Sequence, residues 1–353
     1  MRILKYALAA SALALTLSAT TASAQEPEFK LVTPLATGED NYNYQAVQAF
    51  RHLVNTKSNG RIDVEIYTGG TLCASGRECF EGMQAGLVDI YQSNFGEPGN
   101  LWPAFAGLDL PYMLRDDEVA ECVFDDQDFM SMLRKGMLEQ TGNIRLMTVS
   151  NSGGWRNFAT TNKPIKTPED VKGMKLRTIP AEIQQELVRQ LGGAPTGISW
   201  PEVYTSLATG VVEGTKNGIT DIVAMNFQEH LKHITLDGHA YMGGTWFINN
   251  DKFMSMPEDL RKIVVEGFGV IEQYLRAYPK YHEVRSYKAF TDAGGTIHSL
   301  SNEEKAAFRE AASGMEAWFT SQDPANQAFL DSYNAAIDEC TASVDARLDA
   351  AAQ

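Results

Sequence analysis

Short apolar strands alternate with helices along this chain, and that alternation limits the fold more than any other feature. The segment 61–70, RIDVEIYTGG, alternates apolar and polar residues before two glycines end it, as a half-buried strand does. A helix is expected before it over 42–56, and the segment 76–94 predicts a helix followed by a buried strand. Helices between successive strands favour parallel pairing, so the sequence predicts an α/β fold with largely parallel strands.

The second half of the chain repeats this pattern and adds one long helix. The segment 174–179 predicts a strand, and 181–193 predicts a helix that ends at two glycines. From 256 to 290 the pattern is helical throughout, with Pro279 as an expected kink. A helix of that length exceeds what one small sheet needs, so we expect it to cross two domains.

The N-terminus has the composition of a secretory signal peptide. Arg2 and Lys5 precede the apolar run ALAASALALTLSA, and an A-x-A cleavage motif follows at 22–24. The run is shorter than the ~20 residues that a membrane-spanning helix needs. We therefore expect residues 1–24 to direct export and to be removed after Ala24.

The charge of the chain narrows its partners. The formal net charge is -15, and no run rich in Lys and Arg offsets it. An acidic surface argues against binding to nucleic acid or to anionic lipid. A small anionic ligand stays possible, because a site needs only a local positive field.

Four cysteines, Cys73, Cys79, Cys122 and Cys340, occur in a chain that we expect to be exported. Disulfides are therefore permitted, and four cysteines allow three pairings. Cys73–Cys79 would close a short loop, and Cys122–Cys340 would then tie the C-terminal tail to the first third of the chain. We take that pairing as the expectation.

Motifs of common enzymes are missing from the sequence. There is no G-x-S-x-G elbow and no P-loop, and the segment 267–272, GFGVIE, lacks the third glycine of a dinucleotide fingerprint. His230, His233 and His239 fall within ten residues, so on a helix two of them could share a metal. The alternative is a polar helix end with ordinary hydrogen bonds. We predict no cofactor, no bound metal and no catalysis.

Polar and aromatic side chains follow several of the predicted strands. In open α/β sheets, ligands bind beyond the carboxyl ends of strands, and an arginine fork can hold a carboxylate through two hydrogen bonds. Any one arginine could instead form a surface or interdomain salt bridge. The candidate ligand-binding residues are Arg177, Arg156, Asn217, Trp200, Asn94 and Phe95.

Three blocks resemble a known family. They are 162–180 (NKPIKTPEDVKGMKLRTIP), 191–214 (LGGAPTGISWPEVYTSLATGVVEG) and 215–239 (TKNGITDIVAMNFQEHLKHITLDGH). From about 29 to 301 the chain is similar to the DctP-type solute-binding proteins of tripartite ATP-independent periplasmic (TRAP) transporters. The resemblance implies a two-domain, type II-like periplasmic binding protein with a hinge and a long helix that crosses both domains.

The resemblance also implies domain bounds. Domain I is expected to comprise 25–153 and about 243–282, and domain II to comprise 154–242 and about 283–335. The remaining residues, 336–353, form a helical tail that we expect to pack on domain I.

Site residues follow from the same resemblance. Arg177 takes the position of the family's signature arginine, which pairs with the ligand carboxylate, and Arg156 takes that of a second arginine. Asn217 matches the asparagine of the family's Q-E-N-P motif. Trp200 and Asn94 match by position, as an aromatic packing surface and as a contact for the variable part of the ligand.

The Q-E-N-P motif is altered in this chain. It reads TKNG here, so Lys216 replaces an acid and Gly218 replaces a proline. An inward-facing Lys216 would suit a second negative group, as in a dicarboxylate or a sulfonate. We favour the alternative, in which Lys216 faces solvent.

Together these features predict a periplasmic protein that binds a small organic acid and delivers it to the membrane permease of a TRAP system. It is expected to act as a monomer. A secreted metal-dependent hydrolase using the three histidines, or a binding protein used in sensing, are the alternatives. The ligand class stays open, although Trp155, Trp200 and Phe95 suggest an apolar wall that disfavours a heavily hydroxylated sugar acid.

Overall fold

The computed structural model describes residues 26–352, so the expected signal peptide lies outside the described residues. Strands and helices alternate in that part of the chain. The strands are β1 Phe29–Pro34, β2 Ile62–Tyr67, β3 Ile90–Asn94, β4 Ile144–Thr160, β5 Lys175–Thr178, β6 Ala194–Gly197, β7 Gly214–Asn217, β8 His233–Asn249 and β9 Thr296–Ser299. The α-helices are α1 Tyr42–Lys57, α2 Gly76–Gln84, α3 Asp117–Asp125, α4 Gln127–Thr141, α5 Glu182–Gln190, α6 Val203–Ala208, α7 Ile219–Ala224, α8 Asn250–Ser255, α9 Glu258–Asp292, α10 Asn302–Ala311, α11 Gly314–Gln322 and α12 Ala325–Ala351.

The α/β fold is confirmed, but its larger sheet is mixed. β1 and β2 pair in parallel, and the other strands follow the order β3-β8-β4-β7-β5-β6, with β9 beside β8. β5 is parallel to both of its neighbours, whereas β4 is antiparallel to β8 and to β7. The prediction of largely parallel strands was therefore wrong for the longest pair, which runs between the two ends of the molecule.

Two glycines let β4 continue beyond the point where the sequence pattern ends it. The pattern predicts a strand over 143–151, yet β4 extends to Thr160. Gly153 and Gly154 have φ angles of 123° and 89°, which L side chains rarely adopt. The pairing of β4 with β8 shifts register between Asn151 and Trp155, so each long strand has two separately paired halves.

The long helix α9 is confirmed, and it joins two of the hydrophobic cores. Its first part packs on α1, where the rings of Phe50 and Phe268 lie 5.1 Å apart. Its last part places Phe290 in a separate core with residues of α6 and α7. A third core extends from α3 and α4 to α11 and α12, and Pro279 lies inside α9 between the two ends.

The structure corrects two other local expectations. The segment 301–322, whose pattern predicts one amphipathic helix capped by Ser301, is divided into α10 and α11, and Ser301 does accept from the backbone of Glu304. The segment around His233 is the start of β8 and not a helix. Its residues alternate between buried and partly exposed, so tertiary pairing outweighs the helical pattern there.

Both expected disulfides are present. Cys73 pairs with Cys79, and Cys122 pairs with Cys340, 218 residues later in the chain. The second bond fixes α12 against α3, which the helix also contacts through side chains. None of the helices within 26–352 combines the length and the apolar character that a membrane crossing requires.

Candidate functional site

A cavity of about 90 Å³ lies where the C-terminal ends of β3, β5 and β7 meet the N-termini of α1 and α2. Polar groups from both halves of the chain line it. Five of the six candidate residues contribute to its wall: Arg177, Arg156, Asn217, Trp200 and Asn94.

Arg177 sits near the end of β5 and is 1% exposed. Its Nε and Nη2 donate to the carbonyl oxygen of Ile198 at 3.0 and 2.9 Å, and its Nη1 donates to Asn217 Oδ1 at 3.4 Å. Within the described residues, no carboxylate oxygen lies within 4.0 Å of this guanidinium. Neutral acceptors hold it in place, and its charge has no direct partner.

Burial and the nearby guanidinium of Arg156 lower the pKa of Arg177 to about 9. Arg156 itself is 2% exposed and donates through Nη1 to the carbonyl of Lys216 at 3.2 Å. Its Nε has no acceptor among residues 26–352 and lies 4.0 Å from Asp109 Oδ1. Two buried cations thus destabilise each other, and an anion placed between them would relieve that cost.

Asn217 is held by a chain of hydrogen bonds that crosses the cavity. Its Nδ2 donates to Asp221 Oδ2 at 3.3 Å, which leaves its Oδ1 facing Arg177. The hydroxyl of Tyr42, at the start of α1, donates to the other oxygen of Asp221. Burial raises the pKa of Asp221 to about 6, although the Tyr42 hydrogen bond opposes this shift. The chain therefore connects α1 with the site arginine through α7 and β7.

Trp200, which begins a short 3-10 helix after β6, and Asn94, which ends β3, both face the cavity. The Trp200 ring packs on Phe227 with 5.1 Å between centroids, and Arg177 Cζ lies 5.4 Å from the Trp200 ring centroid. That cation–π contact orients the guanidinium against a flat apolar surface. Asn94 ends β3, and its Oδ1 is buried with no hydrogen-bond donor in the described chain.

Phe95 does not line the cavity. Its side chain is 1% exposed and packs on the rings of Phe124 and Tyr241, with centroid distances of 5.1 and 6.5 Å. A Cβ on Gly243 would lie 1.8 Å from Phe95 Cζ, so the ring occupies the space that this glycine leaves open. Successive residues of a strand point to opposite faces, which explains why Asn94 reaches the cavity and Phe95 reaches the core.

Lys216 faces neither solvent nor the cavity, so the interpretation that we favoured from the sequence was wrong. The side chain is 1% exposed, and its Nζ donates to the carbonyl of Gln184 at 3.1 Å. It alternates with Asn217 along β7 and points to the opposite face. Packing explains the glycine at position 218, since a Cβ there would lie 2.0 Å from the carbonyl oxygen of Gly153.

Stability should rise with pH because of this buried lysine. Burial lowers the pKa of Lys216 to about 7 against the attraction of Asp109. The unfolded lysine keeps a pKa near 10.4, so between pH 7 and 10 the unfolded chain binds more protons than the folded one. Urea unfolding should show that Lys216 makes the free energy of unfolding about 2 kcal/mol higher at pH 9 than at pH 7.

Lys216→Met should remove that increase, whereas Lys135→Met, on the exposed face of α4, should keep it. Parallel profiles for the wild type and Lys216→Met between pH 7 and pH 9 would contradict the assignment of a depressed pKa to Lys216.

The three histidines do not come together. His230 packs edge-on against Tyr204, and His233 Nδ1 lies 3.2 Å from His298 Nε2. His239 is buried with its Nδ1 2.7 Å from Asp237 Oδ2. No group of three or more His, Cys, Asp or Glu side chains suited to a metal ion occurs in the part of the chain that the structure describes.

The cavity residues that the sequence analysis did not select include Tyr42, Asp221 and Glu97. Glu97 comes three residues after the end of β3, so the argument that selected Asn94 could have been extended to it. Tyr42 and Asp221 are 179 residues apart, and only the folded chain brings them into contact.

A family of known proteins matches most of this chain. The family model described as bacterial extracellular solute-binding protein, family 7 (DctP) matches residues 35–321. A similar sequence is the C4-dicarboxylate-binding periplasmic protein DctP of Rhodobacter capsulatus. It is 30% identical over 263 residues, which cover 74% of this chain and 77% of that protein.

Solved structures are similar over nearly their whole length. A TRAP periplasmic solute-binding protein of Roseobacter denitrificans with bound β-D-glucuronate has a TM-score of 0.81 and 26% identity, covering 87% of this chain and 99% of that one. One from Desulfovibrio salexigens with bound orotic acid has a TM-score of 0.82 and 24% identity, covering 88% and 99%. Because the identity to the Desulfovibrio salexigens protein is only 24%, that similarity concerns the fold alone.

Proposed function

The chain belongs to family 7 of the bacterial extracellular solute-binding proteins, the DctP type found in TRAP systems, and from that membership we propose that it binds a small organic acid without catalysis. The ligand is then passed to a membrane permease that an ion gradient drives. Relatives with bound glucuronate, or named for C4-dicarboxylates, support an organic acid as the ligand class.

The observation that carries this proposal is the state of Arg177. Its guanidinium is buried, oriented by Ile198 and Asn217, and faces a cavity with no carboxylate within 4.0 Å in residues 26–352. A buried cation without a counter-ion is costly, and a ligand carboxylate supplies the missing charge through two parallel hydrogen bonds. Arg156 adds a second cation, and Trp200 adds an apolar surface beside the carboxylate.

Binding proceeds by closure of domain I on domain II, with the bounds given above. Two separate cores, one around α1 and one around α6 and α7, support rigid domains. The register shift of β4 and β8 between Asn151 and Trp155 supports a hinge at the crossing point. Ligand stabilises the closed form because only that form contacts it from both sides.

Tyr42→Phe should loosen the closed form. Tyr42 belongs to domain I and Asp221 to domain II, so their hydrogen bond exists only when the domains meet. A hydrogen bond to a carboxylate contributes about 1.5–3 kcal/mol, so the variant should bind roughly 10- to 100-fold more weakly. The loss should lie mainly in faster dissociation, measured by stopped-flow fluorescence.

Tyr44→Phe is the matched control, because the hydroxyl of Tyr44 pairs with Gln48 on the same helix, away from the cavity. Its affinity and dissociation rate should equal those of the wild type. If Tyr42→Phe also behaves like the wild type, the contact does not hold the domains closed.

A thermal-shift screen of small organic acids, followed by calorimetry of the hits, tests the proposed function. We expect one class of acids to raise the melting temperature and to bind at a single site. Stoichiometric zinc and turnover, with no response to any acid, would instead support the metal-dependent hydrolase.

The proposed location is the periplasm. The mature protein should begin at Gln25 after export, which N-terminal sequencing of a periplasmic fraction measures. A chain that stays in the cytoplasm with Met1 in place would contradict both the export signal and a role in uptake.

A further inference from the structure

The charges that line the cavity do not balance once a carboxylate has bound. The cavity wall carries two cations, Arg156 and Arg177, and two carboxylates, Asp221 and Glu97. Asp221 already has two donors, the hydroxyl of Tyr42 and the amide of Asn217. Arg156 has Asp109 4.0 Å from its Nε, behind the wall, so Arg177 supplies the positive charge that the ligand carboxylate cancels. Glu97 then remains as an uncompensated anion.

Glu97 is held in the wall by its neighbours; burial raises the pKa of its carboxyl, and the hydrogen bond from Ser93 and the charges of the two arginines oppose that shift. Its Oε2 accepts from Ser93 Oγ at 2.8 Å. The carboxylate lies against Gly76, the first residue of α2, where a Cβ would be 2.5 Å from Oε2. The positive end of that nine-residue helix favours a negative charge there. No Lys or Arg nitrogen in residues 26–352 lies within 4.0 Å of Glu97.

A second acceptor lies on the same segment of chain. Asn94 Oδ1, three residues before Glu97, is buried and has no donor among the described residues. Burying an acceptor without a donor costs about 1–3 kcal/mol, so this oxygen beside the cavity indicates a ligand that donates to it. The cavity wall therefore combines two arginines with a carboxyl group and an amide oxygen that accept hydrogen bonds.

We propose that the ligand is a compact zwitterion, whose carboxylate binds Arg177 and whose cationic nitrogen binds Glu97. This inference rests on the proposed function, since it places the carboxylate on the same arginine. A volume of about 90 Å³ accommodates a small molecule, at about 10–15 Å³ for each water-sized position. Tyr91, on the same strand as Asn94, also lines the cavity, and an aromatic side chain suits a cationic nitrogen through the attraction of the cation to its ring face.

A dicarboxylate fits this arrangement poorly. Its second carboxylate would face Glu97 and the unpaired oxygen of Asn94. Like charges at short range repel strongly. The C4-dicarboxylates for which the Rhodobacter capsulatus relative is named therefore differ from the ligand that we infer for this chain.

Calorimetry with matched acids tests the inference. The panel pairs zwitterions, such as 4-aminobutanoate, glycine betaine and the common amino acids, with the hydroxy acid and the dicarboxylate of equal chain length, such as succinate. The best zwitterion should bind at least tenfold more tightly than its matched dicarboxylate. Glu97→Gln should weaken zwitterion binding about tenfold or more and strengthen dicarboxylate binding, which narrows or inverts the preference.

Glu139→Gln is the control, because Glu139 lies on the exposed side of α4 away from the cavity. It should keep the wild-type ranking, and circular dichroism should show all variants folded. If a dicarboxylate or hydroxy acid binds the wild type best and Glu97→Gln keeps that ranking, the inference of a zwitterionic ligand is wrong, whereas the proposed function stands. If an acid without a cationic group binds the wild type with uptake of one proton, the inference of a zwitterionic ligand is likewise wrong. If no acid binds at all, both fail.

Discussion

Replacing Arg177 with alanine should abolish binding of the organic acid at ordinary concentrations. The guanidinium is 1% exposed, so a ligand carboxylate in this cavity would lose its charge partner while staying away from water. Removing one partner of a buried ion pair costs about 3–5 kcal/mol, which corresponds to a loss of affinity of roughly 200- to 5,000-fold. Calorimetry of wild type and variant with the best ligand from the screen measures it.

Two further variants sharpen this result. Arg177→Lys keeps the charge but cannot form two parallel hydrogen bonds, so it should recover only a small part of the affinity. Arg285→Ala, on the exposed side of α9 and outside the cavity, should leave affinity unchanged. An Arg177→Ala protein that binds within threefold of the wild type would remove Arg177 from the site.

Phe95→Ala should lower the free energy of unfolding more than the other substitutions proposed for this chain, and it should change ligand binding little. Phe95 is buried against Phe124 and Tyr241, and its ring fills the space above Gly243. Truncating a buried phenylalanine to alanine costs about 3–5 kcal/mol, measured as a lower free energy of unfolding in urea. The fraction that remains folded should bind the ligand with wild-type affinity.

Phe95→Leu is the matched control, since it keeps an apolar side chain of intermediate size and should cost clearly less stability. The opposite pattern, in which Phe95→Ala keeps its stability and loses affinity, would restore Phe95 to the ligand site as the sequence pattern suggested.

Local sequence patterns predicted the parts of the site that a single strand determines. Arg177 and Asn217 each end a short strand, and alternation along these strands directs both side chains to one face. The same rule places Phe95 and Lys216 on the opposite faces. The choice of Phe95 uses only its position after a strand, and the solvent-facing Lys216 that we favoured uses no alternation along the strand, so neither expectation contains the information that directs the side chain.

Longer-range features needed the folded chain. The contact of Tyr42 with Asp221, and the place of Glu97 at the start of α2, depend on packing between segments distant in sequence. The sequence pattern ends the strand near Asn151, whereas the positive φ angles of Gly153 and Gly154 let β4 continue to Thr160. A single sequence does not distinguish a glycine that ends a strand from one that bends it.

A crystal structure of the complex with the acid that stabilises the protein most would test the central claim most directly. We expect the ligand carboxylate between the two domains, with both oxygens about 2.7–2.9 Å from nitrogen atoms of Arg177. A ligand bound elsewhere, or one whose carboxylate does not contact Arg177, would contradict it.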